Sequence, residues 1–181
     1  MLSRYIEPIQ EEFVKKIENG LLDQSFRLES MTQAGEVRGK VFDVLLDVVV
    51  LHAQIQDICP SLLSFLMRRI TLSLFLALLC GLEKPVFISQ KVGNLSLGGY
   101  VQLMTEIAFM EHTLKQYLSA VEIPGSDAAA KISEIKSKLS NLSADHYKDI
   151  PPAGKAQFRQ GLENARKATE NQFLCFSEES Q

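Results

Sequence analysis

Tryptophan is absent from the 181 residues, and proline occurs only six times and cysteine three times. Long alternations of β-branched residues, the pattern of a half-buried strand, are missing as well. These absences argue against a β-rich fold and leave an all-α fold as the expectation. An excess of basic residues is also lacking: 22 acidic and 19 basic side chains are spread along the chain and give a formal charge of -3. No basic field therefore exists to attract nucleic acid. The first sixteen residues mix charged and apolar side chains, without an uncharged apolar run before a small-residue cleavage site, so no secretory leader is expected. Cys59, Cys80 and Cys175 show no paired spacing, and two of them sit in apolar sequence where a reduced thiol packs as a small hydrophobe. A reducing cytosol is the compartment that fits.

The residues of catalysis are equally scarce. A di-metal carboxylate bundle needs Glu and His three apart on facing helices, and no Glu-x-x-His occurs. His52, His112 and His146 lie on different segments, and Glu111 and His112 are neighbours that a helix directs about 100° apart. Structural histidines are expected. Neither Gly93 nor the pair Gly98-Gly99 is followed by the Lys-Ser/Thr that would hold a nucleotide, and no Ser or Cys stands in a nucleophile elbow. The sequence thus points to a non-enzyme with no catalytic residue, no cofactor and no metal.

What the chain does have is apolar periodicity. Between residues 98 and 121, Val101, Met104, Ile107, Ala108, Met110, Leu114, Leu118 and Val121 recur at helical spacing. This predicts one helix of about six turns on which the rest packs. Ile6, Ile9, Phe13 and Ile17 predict a short amphipathic helix, beginning at Glu7 with Pro8 in its first turn. Residues 19–40 read as a connection, which sets the expected division: 1–40 as N-terminal helix and connecting segment, 41–181 as the helical bundle. Residues 41–58 are apolar nearly all round, which predicts a central helix. After Pro60 a second apolar helix continues to Leu82. Its uncharged run of 13 residues is too short to span a bilayer, and Arg68-Arg69 and Glu83-Lys84 close the window, so a buried core helix is the expectation.

Residues 83–97 read as a loop whose Val86, Phe87 and Ile88 tuck against the bundle. A turn then leads from Ile123 to an N-cap at Ser126 or Asp127. Ile132, Ile135, Leu139 and Leu142 mark a narrow stripe. A last helix is predicted from Lys155 to Phe176, with Phe158, Leu162, Phe173 and Phe176 docked along one face. Lys155, Arg159, Arg166 and Lys167 offer that helix a basic side for anionic lipid head groups. The solvated face is the favoured reading, because residues 127–181 hold eight acidic and eight basic side chains. An exposed apolar groove for a partner helix is the more credible contact, since the apolar faces exceed what a few helices consume.

Three islands carry a family resemblance. In residues 104–117, MTEIAFMEHTLKQY, the side chains Glu106, Phe109, Met110, Thr113, Leu114 and Tyr117 fall on a Leu/Met-x-x-Glu/Asp-x-x-Phe-Met-x-x-Thr-Leu-x-x-Tyr pattern. Upstream stands Leu51-His52-Ala53-Gln54. Downstream, Arg166-Lys167-Ala168-Thr169 precedes Phe173-Leu174-Cys175-Phe176. Together these resemble the C-terminal helical region of the Sec-five subunit of the exocyst, in its fungal type.

The resemblance implies an antiparallel bundle at the distal end of a tethering rod. Such a bundle is cytoplasmic, peripheral at plasma-membrane sites of polarised secretion, and acts in exocytosis without a catalytic step. The implied partners are other exocyst subunits, with small GTPases or vesicle proteins beyond them. The competing readings from the residues alone are a free-standing helical regulator or GTPase effector and, less favoured, a metal-carboxylate bundle enzyme.

Overall fold

The computed structural model describes residues 3–22, 36–83, 95–118, 128–143 and 147–176. Among them are six α-helices: α1 (Ser3–Lys16), α2 (Gly39–Ile58), α3 (Leu63–Glu83), α4 (Leu97–Thr113), α5 (Ala128–Leu142) and α6 (Pro152–Thr169). The protein is an all-α helical bundle. The only β-type contact among the described residues is an isolated bridge, in which the Leu95 N–H donates to the Leu142 carbonyl at 2.6 Å.

Two helices carry the core. In α3, twelve residues from Leu66 to Leu82 are buried, and the helix packs on α1, α5 and α2. By length and composition, Pro60–Glu83 is apolar enough to cross a membrane even with Arg68 and Arg69 inside it. Even so, 61% of it is buried inside the bundle. The expected core helix is what the packing shows.

α4 is the second core element. Ser96 caps it by accepting from the Gly99 N–H at 3.1 Å. Gly98 and Gly99, where the predicted helix starts, lie inside its first turn, both buried. The predicted six turns shorten to 17 residues. At Thr113 the chain tightens into a 3-10 turn, Lys115–Tyr117. Residues three apart eclipse in such a turn, which carries Leu114 and Tyr117 into the core at 0% and 2% exposure. Val121 lies outside the described residues, as do Val86, Phe87, Ile88, Ser126, Asp127 and His146.

α1 begins at Ser3, four residues earlier than expected, and contains Pro8. The proline deprives only a first-turn carbonyl of its partner, so the helix continues through it. Phe13 and Ile17 are buried in the same cluster as α3. A short π-turn, Ile17–Leu21, follows, and a Lys16–Asp47 ion pair ties α1 to α2.

The expected central role of residues 41–58 is not observed. Val41, Val44, Leu45, Val48 and Ile55 of α2 are buried, whereas Leu46, Val50 and Ile58 face solvent. α2 is an edge helix with one apolar side left over. In α5 the narrow stripe holds: Ile132, Ile135 and Leu139 are buried and Leu142 half-buried.

The last helix departs most from expectation. α6 ends at Thr169, and the exposed polar residues Glu170, Asn171 and Gln172 turn the chain back. Its buried positions are the small residues Gly154, Gly161, Ala165 and Thr169, which let it lie closely on α4, while Phe158 and Leu162 are half-buried. Phe173 and Phe176 therefore belong not to this helix but to the returning segment, whose 3-10 turn spans Leu174–Phe176. None of the three cysteines is in a disulfide. Cys80 is exposed, so its apolar sequence neighbours misplace it, whereas Cys59 and Cys175 are half-buried.

Candidate functional site

α4 collects the site. Its apolar surroundings make a charged side chain expensive unless it is matched, and Glu106 is fully buried there. The match comes from Arg38 at the start of α2: Nε donates to Glu106 Oε1 at 2.6 Å and Nη2 to Oε2 at 2.8 Å. The Arg38 backbone N–H adds a 3.3 Å bond to Oε1, and Gln102 Nε2 donates to the same oxygen at 2.7 Å. Gln102 also reaches the Glu36 carbonyl at 2.6 Å. The carboxylate thus sits against the N-terminus of α2, where its charge is favoured, and pins α4 to that end.

One turn further along α4, an aromatic chain begins. Phe109 is buried between Phe42 of α2 and Phe173 of the returning segment, with ring centroids 5.5 and 6.2 Å away and both contacts edge-to-face. Phe173 stacks on Phe176 at 6.3 Å. Phe176 in turn meets Tyr117 at 6.1 Å and His52 at 5.6 Å, both edge-on. Such geometry sets the negative face of one ring against the positive edge of the next. Desolvation lowers the His52 pKa and raises that of Cys175, and burial followed by the neighbouring Cys175 pushes Tyr117 up to about 12. These are packed groups, each shifted chiefly by burial.

Between the C-terminal ends of α4 and α6 lies a cleft of about 770 Å³. Its lining includes the buried Phe109 and Phe173 and the exposed His112, Lys115, Arg166 and Lys167. The His112 pKa is lowered by partial desolvation, then by the charges of Arg166 and Lys115. No group of three or more metal-ligating side chains exists among the described residues.

The family model for exocyst complex component Sec5 matches residues 1–176. The chain belongs to the Sec5 family. No curated protein and no solved structure matches it. Sec5 proteins are components of the exocyst complex, and this chain is accordingly an exocyst subunit sequence. The match covers the first forty residues too, where the motif islands are absent.

Within this Sec5 bundle the three islands converge. Glu106, Phe109, Met110, Leu114, Tyr117, Phe173 and Phe176 are all buried. His52 and Cys175 are half-buried beside them, as is Leu51. Thr113 Oγ1 donates back to the Phe109 carbonyl at 2.9 Å, just where α4 ends.

The basic residues do not form one patch. Lys155 and Arg159 lie on the first half of α6, about 10 to 18 Å along the axis from Arg166 and Lys167, and only the latter pair lines the cleft. Lys167 bonds Glu163 at 2.7 Å. Arg38, Gln102 and Phe42 carry as much of the site as any motif residue, and sequence reading missed them. One signal was available: Gln102 and Glu106, four apart on an apolar helix, require a buried polar partner somewhere.

Proposed function

We propose that this chain is a non-catalytic helical bundle from the C-terminal part of an exocyst subunit, helping to hold secretory vesicles at the plasma membrane during exocytosis through protein-protein contacts. In this reading the motif positions from Leu51 to Phe176 are structural, fixing the bundle's shape and not contacting a substrate. The protein works in the cytoplasm, peripheral to membrane at sites of polarised secretion. Small GTPases and vesicle proteins are further partners of the assembled complex.

The observation that carries the reading is the unused side of α2. Leu46 is 42% exposed, Val50 54%, Ile58 82% and Leu62, just beyond the helix, 42%. These are four of the five large hydrophobics exposed among the described residues, and their concentration at one edge marks an interaction surface. Leu46 and Val50 are one turn apart on a single face, with exposed Asp43 and Asp57 nearby. A helix of another exocyst subunit, apolar on one side and basic on its flanks, is the occupant that fits.

The test is a Leu46→Glu, Val50→Glu double variant in the full-length subunit. Co-purification of the remaining exocyst subunits should fall and secretion slow, while helicity and thermal midpoint stay at parental values. Unchanged assembly and secretion would remove the support for this contact.

A further inference from the structure

The cleft between the ends of α4 and α6 has a chemistry different from the α2 edge. Among the described residues its charged lining is Lys115, Arg166 and Lys167 against one carboxylate, Glu170. The chain as a whole carries -3, so this is a local inversion of sign. Lys167 is largely spoken for by Glu163, 2.7 Å away, which leaves Lys115 and Arg166 as the cations facing the cleft with Glu170 as their counterweight. Lys115 and Arg166 are exposed, and the pKa of His112 in the same lining is lowered first by desolvation and then by the charges of Arg166 and Lys115. Beneath them the wall is aromatic, and Leu174, 54% exposed, stands at the rim. At about 770 Å³ the space admits one or two side chains and a short stretch of backbone.

We infer that this cleft binds an acidic peptide segment of a partner protein, seating an aliphatic or aromatic side chain against Phe109 and Phe173 with flanking carboxylates on Lys115 and Arg166. Attraction between opposite charges sets orientation and on-rate, while the apolar side chain supplies the desolvated anchor. A lipid head group would need cations on an outward-facing surface. Here they overlook a recess with an apolar base, and Lys155 and Arg159, which would extend a lipid-facing strip, lie half a helix away. The inference deepens the protein-contact reading above by adding a second surface, and rests on it to that extent.

The probe is a fluorescent dodecapeptide in which glutamates flank one Leu and one Phe, titrated by anisotropy into the whole chain. The same peptide with every Glu replaced by Gln, and sedimentation with phosphatidylcholine–phosphatidylserine vesicles, run alongside. The acidic peptide should bind, more weakly as salt is raised, and Lys115→Glu with Arg166→Glu should weaken it by about tenfold or more without changing helicity. Lys115→Arg with Arg166→Lys should retain it. The Leu46→Glu, Val50→Glu variant should bind the peptide normally, which separates failure of this site from failure of the α2 contact. Equal binding of the Gln peptide, indifference to the charge reversal, or charge-dependent sedimentation with vesicles in place of peptide binding would each overturn the inference.

Discussion

Arg38 and Glu106 lie 68 residues apart in the chain and 2.6 Å apart in space, the carboxylate fully buried and the guanidinium side chain 18% exposed. Such a pair is held by geometry more than by net attraction, because desolvating both ions consumes most of what their contact returns. Removing one partner leaves the other charge stranded. Arg38→Ala or Glu106→Ala should therefore each cost about 3 to 5 kcal/mol, read from urea midpoints. Arg38→Met combined with Glu106→Leu should recover a large part of the loss. Additive losses in the double variant would mean that the two side chains do not depend on each other.

Phe109 joins α4 to both α2 and the returning segment through two edge-to-face contacts. Phe109→Ala should cost about 3 to 5 kcal/mol, a large share of the roughly 5 to 15 kcal/mol that holds a domain together. Phe173→Ala should cost less, and the two should couple by about 0.5 to 1.5 kcal/mol in a double-mutant cycle. A coupling near zero would show that the returning segment is not docked on Phe109 in solution.

Tyr117 is 2% exposed, and its hydroxyl oxygen has no hydrogen-bond partner among the described residues. An unmatched buried hydroxyl is a cost that phenylalanine does not carry. Tyr117→Phe should leave stability unchanged or raise it by about 1 kcal/mol. In the parent, ultraviolet titration should show one phenol ionising only near its shifted pKa of about 12. A clear destabilisation by Tyr117→Phe would reveal a partner for the hydroxyl.

His52 and His112 both have pKa values lowered from 6.5, His52 by burial and His112 by desolvation and then by Arg166 and Lys115. A folded value below the unfolded one means that the unfolded chain binds more protons in that window, so stability rises with pH. The contribution is complete above about pH 6.5 and is lost as pH falls through the folded values. Thermal midpoints should fall between about pH 7 and pH 5, and His52→Gln should flatten part of that slope. An identical slope in the variant would assign the acid sensitivity to other groups.

Much of the fold was legible in the sequence because helical periodicity is a local property. Ile132, Ile135 and Leu139 lie three and four apart, so one side of the helix carries them all, and all three are buried. The burial of α3 followed likewise from its apolar composition, and the spacing of Glu106, Phe109, Met110, Leu114 and Tyr117 sufficed to point to the Sec5 family. An apolar helix such as α2, however, carries no mark of which sector its neighbours will cover; Val48 and Val50 are alike in sequence and opposite in exposure. Nor could spacing disclose that the chain reverses after Thr169, because a continued helix and a turn back keep the same residue order. The turn sets Phe173 against Phe109 and Phe176 against Tyr117, contacts between residues far apart along the chain. The sequence by itself determined the helices, most of their buried faces and the family. Tertiary structure decided which apolar face remained bare, where the aromatic chain closed, and that Glu106 would find its counter-ion in Arg38, since each of these depends on proximity between residues far apart along the chain.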